Sequence, residues 1–142
     1  MTKLYDRDFF AWTQDQADAL RRRSVNEIDW DNLLEEVESL GRQQQSELTS
    51  HMAVLLTHLL KWRMQPARRS RSWVLTILEQ RAQAERLMRD NPSLKPRLDE
   101  VLSDAYKLAR LRAARETRLS LGNIPEASPF DWTDAMTAPI AL

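Results

Sequence analysis

The sequence predicts an all-α protein, a single-domain up-and-down helical bundle of about five helices over residues 1–142, with an irregular, proline-containing tail from about residue 118. Only two glycines occur in 142 residues, whereas a domain rich in tight turns usually needs more, because glycine adopts backbone angles that other residues avoid. Apolar residues recur at every third or fourth position in five stretches, which is the period of a helix. No stretch alternates apolar and polar residues strictly enough to be a strand. The length fits one domain.

The first helix is expected to begin near Asp6 or Asp8, because either carboxylate can accept hydrogen bonds from the free backbone N–H groups of a first turn. Beyond that start, Phe9, Trp12 and Ala19 follow the helical spacing and predict one apolar stripe about three turns long.

The second helix is expected to begin after Asp29 and to end, or at least kink, at Gly41, because a glycine often ends a helix in a left-handed turn. Its predicted buried stripe consists of Leu33, Leu34, Val37 and Leu40. The third helix is predicted over residues 44–64. It is apolar on several sides, so we place it at the centre of the bundle. Its predicted core residues are Leu48, Met52, Leu55, Leu56, Leu59, Leu60 and Trp62.

The fourth helix is expected to begin after Ser70 or Ser72 and to stop at residues 91–92. One of its faces is predicted to be apolar, with Trp73, Ile77, Ala84 and Met88. Arg81, Glu85 and Arg89 are four residues apart, and this spacing predicts exposed ion pairs.

The fifth helix is predicted to begin at Leu94 with Ser93 as its cap, because Pro96 lacks a backbone N–H and fits only a first turn. It is expected to continue to about residue 117. The tail contains three further prolines and is therefore expected to be mostly extended, with one turn at residues 131–136.

Composition argues against several classes of protein. The chain has 21 basic and 21 acidic residues and a formal net charge of zero, so no overall field attracts nucleic acid or an anionic membrane. It has no cysteine, which excludes disulfides, a cysteine nucleophile and thiolate metal ligands. Residues 52–60 are strongly apolar but far fewer than the ~20 residues that span a bilayer. The N-terminal residues lack the apolar run of a signal peptide, and we expect a cytoplasmic protein.

Motifs along nearly the whole chain resemble those of one family. They are Asp8-Phe9 with Trp12-Thr13, Asp29-Trp30, residues 35–41, Lys61-Trp62, the Arg-Ser-Arg-Ser-Trp of residues 69–73, and Pro92-Ser93-Leu94. In these motifs the chain resembles the family known as domain of unknown function 29. The resemblance implies a small, helical, largely bacterial protein and brings no established activity, substrate or cofactor. Function must therefore be argued from the residues of a site.

The strongest candidate site is the junction of the third and fourth helices. Residues 61–78 contain five basic residues and no acidic residue. Arginine and lysine contact anions, and a helix N-terminus also favours negative charge. Tryptophans beside them can stack on bases or on guanidinium groups. We therefore predict an anion- or partner-binding site, called here the basic corner, which consists of Lys61, Arg68, Arg69, Arg71 and Trp73.

Other interpretations of the basic corner stay open. The corner can pair inside the molecule with six acids of the second helix and the residues before it, and charge segregation in a neutral domain often means internal pairing. These acids are Glu27, Asp29, Asp31, Glu35, Glu36 and Glu38. An arginine-rich helix also suits a subunit interface. A second basic stretch is expected to be solvated surface, although it keeps nucleic acid as a weaker alternative; it consists of Lys107, Arg110, Arg112 and Arg115.

The rival hypothesis is a metal-dependent hydrolase or nuclease. His51 and His58 are separated by two helical turns, about 10.5 Å of rise, which is too far for both to bind one metal. A site would need His58 to meet the acids of the second helix, Glu35, Glu36 and Glu38. The sequence lacks the repeated Glu-x-x-His spacing of such bundles, and it lacks the Gly-x-Ser-x-Gly and Walker motifs. His58 is therefore expected to be a hydrogen-bonded core residue, and no metal or cofactor is predicted.

The sequence thus predicts a macromolecular binding module rather than an enzyme. The expected partner is another protein or a second copy of the chain, nucleic acid is a weaker alternative, and a membrane is not expected. A purely structural homodimer is the last alternative.

Overall fold

The computed structural model describes residues 3–141 and confirms the all-α prediction. Over this range there are six α-helices, four short 3-10 helices and no strand. The α-helices are α1 (Leu4–Arg7), α2 (Phe9–Arg22), α3 (Trp30–Met64), α4 (Arg71–Asp90), α5 (Leu98–Thr117) and α6 (Trp132–Thr137). The 3-10 helices are Val25–Glu27, Pro66–Arg68, Pro92–Arg97 and Leu121–Asn123. None of the helices in the described range is long and apolar enough to cross a membrane.

The chain forms two compact units, Met1–Arg42 and Gln43–Leu142. The first unit contains α1, α2 and the beginning of α3, and the second contains the remaining helices. The prediction of one domain over residues 1–142 stays a prediction.

In the first unit, α2 begins as the sequence predicted. The Asp8 carboxylate accepts a hydrogen bond from the backbone N–H of Ala11 at 3.0 Å, and this interaction caps the helix. Trp12, Gln16 and Ala19 are the buried residues of α2. The Gln16 amide accepts from the backbone N–H of Asp29 at 2.7 Å, and this bond ties the start of α3 to α2.

The predicted break at Gly41 is wrong, because α3 continues through this glycine for 35 residues. In the described residues no glycine has a positive φ, so Gly41 does not form the left-handed turn that ends a helix. A glycine inside a helix costs about 1 kcal/mol relative to alanine, and a long, tertiary-packed helix tolerates that cost. The predicted second and third helices are therefore one helix.

The predicted buried stripe of residues 33–40 is also largely wrong. Leu34, Val37 and Leu40 are about 60% exposed, at 59%, 58% and 61% respectively. Only Leu33 is half-buried. Hydrogen bonds hold a different edge of this helix against the rest of the first unit, since Tyr5 donates to Glu36 and Trp12 donates to Asp29.

The core of the second unit is formed around the C-terminal part of α3, as predicted. The predicted core residues of this segment are all buried, and five of them are fully buried: Leu48, Met52, Leu55, Leu56 and Leu60. Helix α4 contributes Ile77, Ala84 and Leu87 to the same core. Helix α5 contributes mainly small residues, which allow close packing; they are Val101, Ala105, Ala109 and Ala113.

The predicted start of the fifth helix is wrong by one turn. Residues Pro92–Arg97 form a 3-10 helix with Pro96 inside it, and α5 begins only at Leu98. The Ser93 side chain is not the cap of α5, whose preceding residue is Arg97. Pro96 is compatible with either start, because the first turn of a helix does not use its N–H groups, so the sequence did not distinguish a 3-10 turn from the first turn of α5.

The tail is more ordered than predicted. The turn expected at residues 131–136 is the helix α6, which begins with a capping box between Asp131 and Asp134. Ile124 and Ala135 of the tail are buried in the core of the second unit. The segment after residue 118 is irregular outside Leu121–Asn123 and α6, as predicted, and it packs onto this unit.

Candidate functional site

The basic corner lies at the turn between α3 and α4. A 3-10 helix, Pro66–Arg68, follows the end of α3, and the N–H of Arg68 donates to the Gln65 carbonyl at 2.9 Å. Ser70 then caps α4, as predicted, because its hydroxyl accepts from the backbone N–H of Trp73 at 3.3 Å. A backbone hydrogen bond and a bond to a side-chain hydroxyl thus order the chain through the turn.

Lys61 is held by contacts inside the second unit. Its Nζ atom lies 4.8 Å from the ring centroid of Trp73 and 3.4 Å from a carboxylate oxygen of Glu116. The side chain of Lys61 is only 13% exposed. This lysine therefore fastens α3 to α4 and α5, and little of it is available to a partner.

Arg69 is also held internally. Its Nε donates to the backbone carbonyl of Trp62 at 2.8 Å, and its guanidinium carbon lies 4.7 Å from the centroid of the Trp62 ring. A cation placed over an indole face is attracted by the ring quadrupole. Arg69 consequently covers the end of α3.

Arg68, Arg69 and Arg71 are all exposed, but only Arg69 has the internal contacts described above. Within the described part of the second unit, no ion pair involves Arg68 or Arg71. Arg71 is the first residue of α4, and the first turn of that helix contains no acidic residue. A cation at a helix N-terminus opposes the helix dipole, so this position favours an external negative charge.

The two tryptophans of the corner have little free surface for base stacking. Trp62 is 8% exposed and is covered by Arg69. Trp73 is half-buried, packs against the core, and is covered by Lys61. Of the two roles predicted for Trp73, packing fits this geometry.

Several acids predicted to pair with the corner have partners within the first unit. A carboxylate oxygen of Glu27 lies 2.6 Å from a guanidinium nitrogen of Arg22, and a carboxylate oxygen of Glu35 lies 3.1 Å from a guanidinium nitrogen of Arg42. These pairs are exposed and contribute little to stability. They nonetheless give these two acids local counter-charges.

Hydrogen bonds within the first unit shift the pKa values of two side chains, Asp29 and Tyr5. Asn32 and Trp12 donate to the Asp29 carboxylate at 2.8 Å and 3.0 Å, and the hydrogen bond from Asn32 is the largest cause of a lowered pKa at Asp29. Tyr5 donates to the Glu36 carboxylate, and this bond raises the pKa of Tyr5 to about 12. Both groups act in holding α1 and α2 to α3.

The ligand set of the rival metal-site hypothesis is not assembled in the described residues, where no three His, Asp or Glu side chains form a group that could hold a metal ion. His58 is half-buried, and its Nδ1 lies 2.9 Å from the carbonyl of Val54, one turn earlier. The Nδ1 of His51 lies 2.7 Å from the amide oxygen of Gln80. Both histidines thus make hydrogen bonds within the second unit.

Three residues that hold the tail by hydrogen bonds, Arg81, Arg110 and Tyr106, were not predicted from the sequence. Arg81 is buried, and it donates to the carbonyls of Ala135 and Ala138, at 2.9 Å each. The prediction that Arg81 forms exposed ion pairs is therefore wrong. Burial lowers the pKa of Arg81. The spacing offered a signal, because residue 81 falls on the same helical stripe as the buried Ile77 and Ala84.

The other two contacts come from α5. Arg110 of the second basic stretch donates to the carbonyls of Leu121 and Ile124, at 2.9 Å and 3.1 Å. The Tyr106 hydroxyl donates to the carbonyl of Pro125, and burial is the largest cause of a raised pKa at Tyr106. The prediction that Arg110 belongs to a solvated surface is therefore wrong, because its side chain anchors the tail. No local pattern marks an arginine whose acceptors are backbone carbonyls.

Together, the fold and this site define an all-α protein in which Arg68 and Arg71 are exposed at the turn between α3 and α4 and make no ion pair with the described residues of the second unit. The chain belongs to the family described as Domain of unknown function DUF29, whose model matches residues 4–139. No curated protein and no solved structure matched the chain.

Proposed function

We propose that this protein is a binding module that recognises an acidic surface of a protein partner through Arg68 and Arg71. The observation that carries the proposal is the position of Arg71, which begins a 20-residue helix without an acid in its first turn. This arrangement costs stability locally, since like charge meets the positive end of the helix dipole. A residue that breaks a local rule without internal compensation is expected at a functional position.

The arginine chemistry supports an acidic ligand. Guanidinium groups form paired hydrogen bonds with carboxylates, and both side chains are exposed. The neighbouring Arg69 contacts Trp62 and Lys61 contacts Trp73, which leaves Arg68 and Arg71 as the arginines of the corner that are available to a ligand.

A protein ligand is favoured over nucleic acid for a specific reason. Proteins that bind single-stranded nucleic acid combine basic residues with free aromatic faces on which bases stack. Here Lys61 and Arg69 already cover Trp73 and Trp62. The net charge of zero also supplies no broad positive field for a phosphate backbone.

The test compares two probes of matched length, a labelled poly-L-glutamate and a labelled single-stranded DNA, by fluorescence anisotropy at low salt. We expect the wild-type protein to bind poly-L-glutamate, with an affinity that falls as salt screens the charges. The double variant Arg68→Glu, Arg71→Glu should lose this binding by at least several-fold. Its circular-dichroism spectrum and melting temperature should stay near those of the wild type.

The matched control is Arg89→Glu, Arg115→Glu, which makes the same change in net charge at two other exposed arginines. This control should retain most of the binding. Equal loss in both variants would show a general charge effect and contradict the proposal. Stronger binding of DNA, abolished by the corner variant, would instead support the nucleic-acid alternative.

A further inference from the structure

Helix α4 exposes a narrow apolar stripe next to the basic corner. Arg71, Leu75, Leu78 and Ala82 follow one another at spacings of four, three and four residues, so they lie on one line along the helix. Leu75 is 51% exposed and Leu78 is 49% exposed. This spacing is that of a helix-pairing seam.

The first unit exposes a second stripe with the same spacing. Trp30, Leu34, Val37 and Gly41 follow one another along α3 at intervals of four, three and four residues. The three side chains are 57%, 59% and 58% exposed. At Gly41 a Cβ atom would meet nothing within 4 Å, so this end of the stripe is also open.

The two stripes carry opposite charges where they begin. Asp31 borders the α3 stripe beside Trp30, and no ion pair within the described part of the first unit involves it. The α4 stripe begins at Arg71, with Arg68 just before it. If the α3 stripe of one copy of the chain lay parallel to the α4 stripe of another copy, Asp31 would meet Arg68 and Arg71. If the two stripes were antiparallel, Arg71 would instead lie next to Arg42, which has the same charge.

We propose that a second copy of this chain docks its α3 stripe along the α4 stripe in parallel. Leu34 then packs against Leu75, and Val37 packs against Leu78. Arg71 lies over the Trp30 indole as Arg69 lies over Trp62 in this structure. The inference rests on the proposed function, because it identifies the acidic partner of Arg68 and Arg71 as Asp31 of the other copy.

The expected affinity is low. Three turns of paired helix bury less than the roughly 1,200 Å² that standard interfaces exceed, so association should depend on concentration. Because the two stripes differ, the contact is heterologous, and copies either close into a ring or extend.

Sedimentation velocity with charge-reversed variants tests the contact. The wild-type mass should rise above that of one chain as the concentration approaches about 1 mM. Two variants, Asp31→Arg alone and the pair Arg68→Glu, Arg71→Glu, should each stay monomeric. Mixed together they should associate again, because each then offers the other an opposite charge. Failure of the mixture to associate would overturn the inference.

Cysteine pairing tests the direction, and the chain has no native cysteine to interfere. Leu34→Cys mixed with Leu75→Cys should give a disulfide-linked dimer under mild oxidation. Leu34→Cys mixed with Ala82→Cys should give little, because the second site is about 10 Å further along the helix. Equal yields from both mixtures would overturn the parallel pairing.

The outcomes separate this inference from the proposed function. If the corner variant loses binding to poly-L-glutamate while the wild type stays monomeric at every concentration, the self-docking inference fails and the acidic-partner proposal stands. If the corner variant keeps its poly-L-glutamate binding, the proposed function fails, and the self-docking inference fails with it.

Discussion

The guanidinium of Arg69 lies 4.7 Å from the centre of the Trp62 ring, and its Nε donates to the carbonyl of the same residue. This relationship divides the basic corner into two parts. Arg69 and Lys61 build the turn between α3 and α4, whereas Arg68 and Arg71 face outward without ion-pair partners in the described part of the second unit. Neighbouring arginines in one short segment therefore differ in their contacts.

The first prediction concerns stability at the corner. Arg69→Ala should lower the free energy of unfolding by about 1–2 kcal/mol, because it removes a cation–π contact and a charged hydrogen bond. Arg68→Ala should change it by less than about 0.5 kcal/mol, as is usual at exposed positions. Urea unfolding followed by circular dichroism measures both. A larger loss for Arg68→Ala than for Arg69→Ala would contradict this division of roles.

The second prediction concerns the anchor of the tail. Arg81→Met should destabilise the protein by about 2–4 kcal/mol, because the carbonyls of Ala135 and Ala138 lose their buried donor. Hydrogen exchange should accelerate in α6 more than in α3. Arg89→Met, on the exposed face of the same helix, serves as the control and should leave exchange in α6 unchanged. Unaltered exchange in the Arg81 variant would show that the tail has another anchor.

The third prediction concerns the continuity of α3. Gly41→Ala should raise the free energy of unfolding by about 0.5–1 kcal/mol, because alanine favours the helix and its Cβ meets no neighbour. Gly41→Pro should lower it by about 3 kcal/mol, since proline breaks a helix interior. If the Gly41→Ala variant were less stable than the wild type, Gly41 would be a helix end after all.

The fourth prediction concerns pH. Tyr5 has a pKa raised to about 12, mainly by its hydrogen bond to Glu36, and burial raises the pKa of Tyr106. A tyrosine whose pKa is raised in the folded state stabilises the fold at every pH below its pKa in the unfolded chain. This contribution disappears as the pH rises through its pKa in the folded state. The contribution of Tyr5 is therefore complete below about pH 10 and is lost towards pH 12.

Tyrosinate absorbance measures this directly, because the chain contains two tyrosines. Tyr106→Phe isolates Tyr5 and should titrate near pH 12. Glu36→Gln in the same background should bring the midpoint down towards the ordinary value. A midpoint of about 10 in the folded Tyr106→Phe protein would show that the bond to Glu36 is not formed.

Much of the fold could be predicted from helical periodicity, and the failures have physical causes. The core of the second unit follows the stripe of Leu48, Met52 and Leu55 because burial there is decided by apolar area. The stripe of Leu34 and Val37 has the same period but is exposed. Periodicity identifies an apolar face without showing whether the chain itself covers that face.

The candidate site was predictable in part. The absence of acids from residues 61–78 located the corner, and Ser70 located the start of α4. Which arginines are free could not be predicted, because Arg69 and Arg81 use backbone carbonyls as acceptors. Every residue carries a backbone carbonyl, so sequence patterns do not distinguish these two arginines from Arg68 and Arg71.

Binding of an acidic ligand by Arg68 and Arg71 is tested most directly by an NMR titration that follows the arginine Nε–Hε signals while poly-L-glutamate is added. We expect the signals of Arg68 and Arg71 to shift, while those of Arg69 and Arg81, whose Nε groups already donate to carbonyls, stay in place. Shifts spread evenly over the arginines of the chain, or none at Arg68 and Arg71, would contradict this expectation.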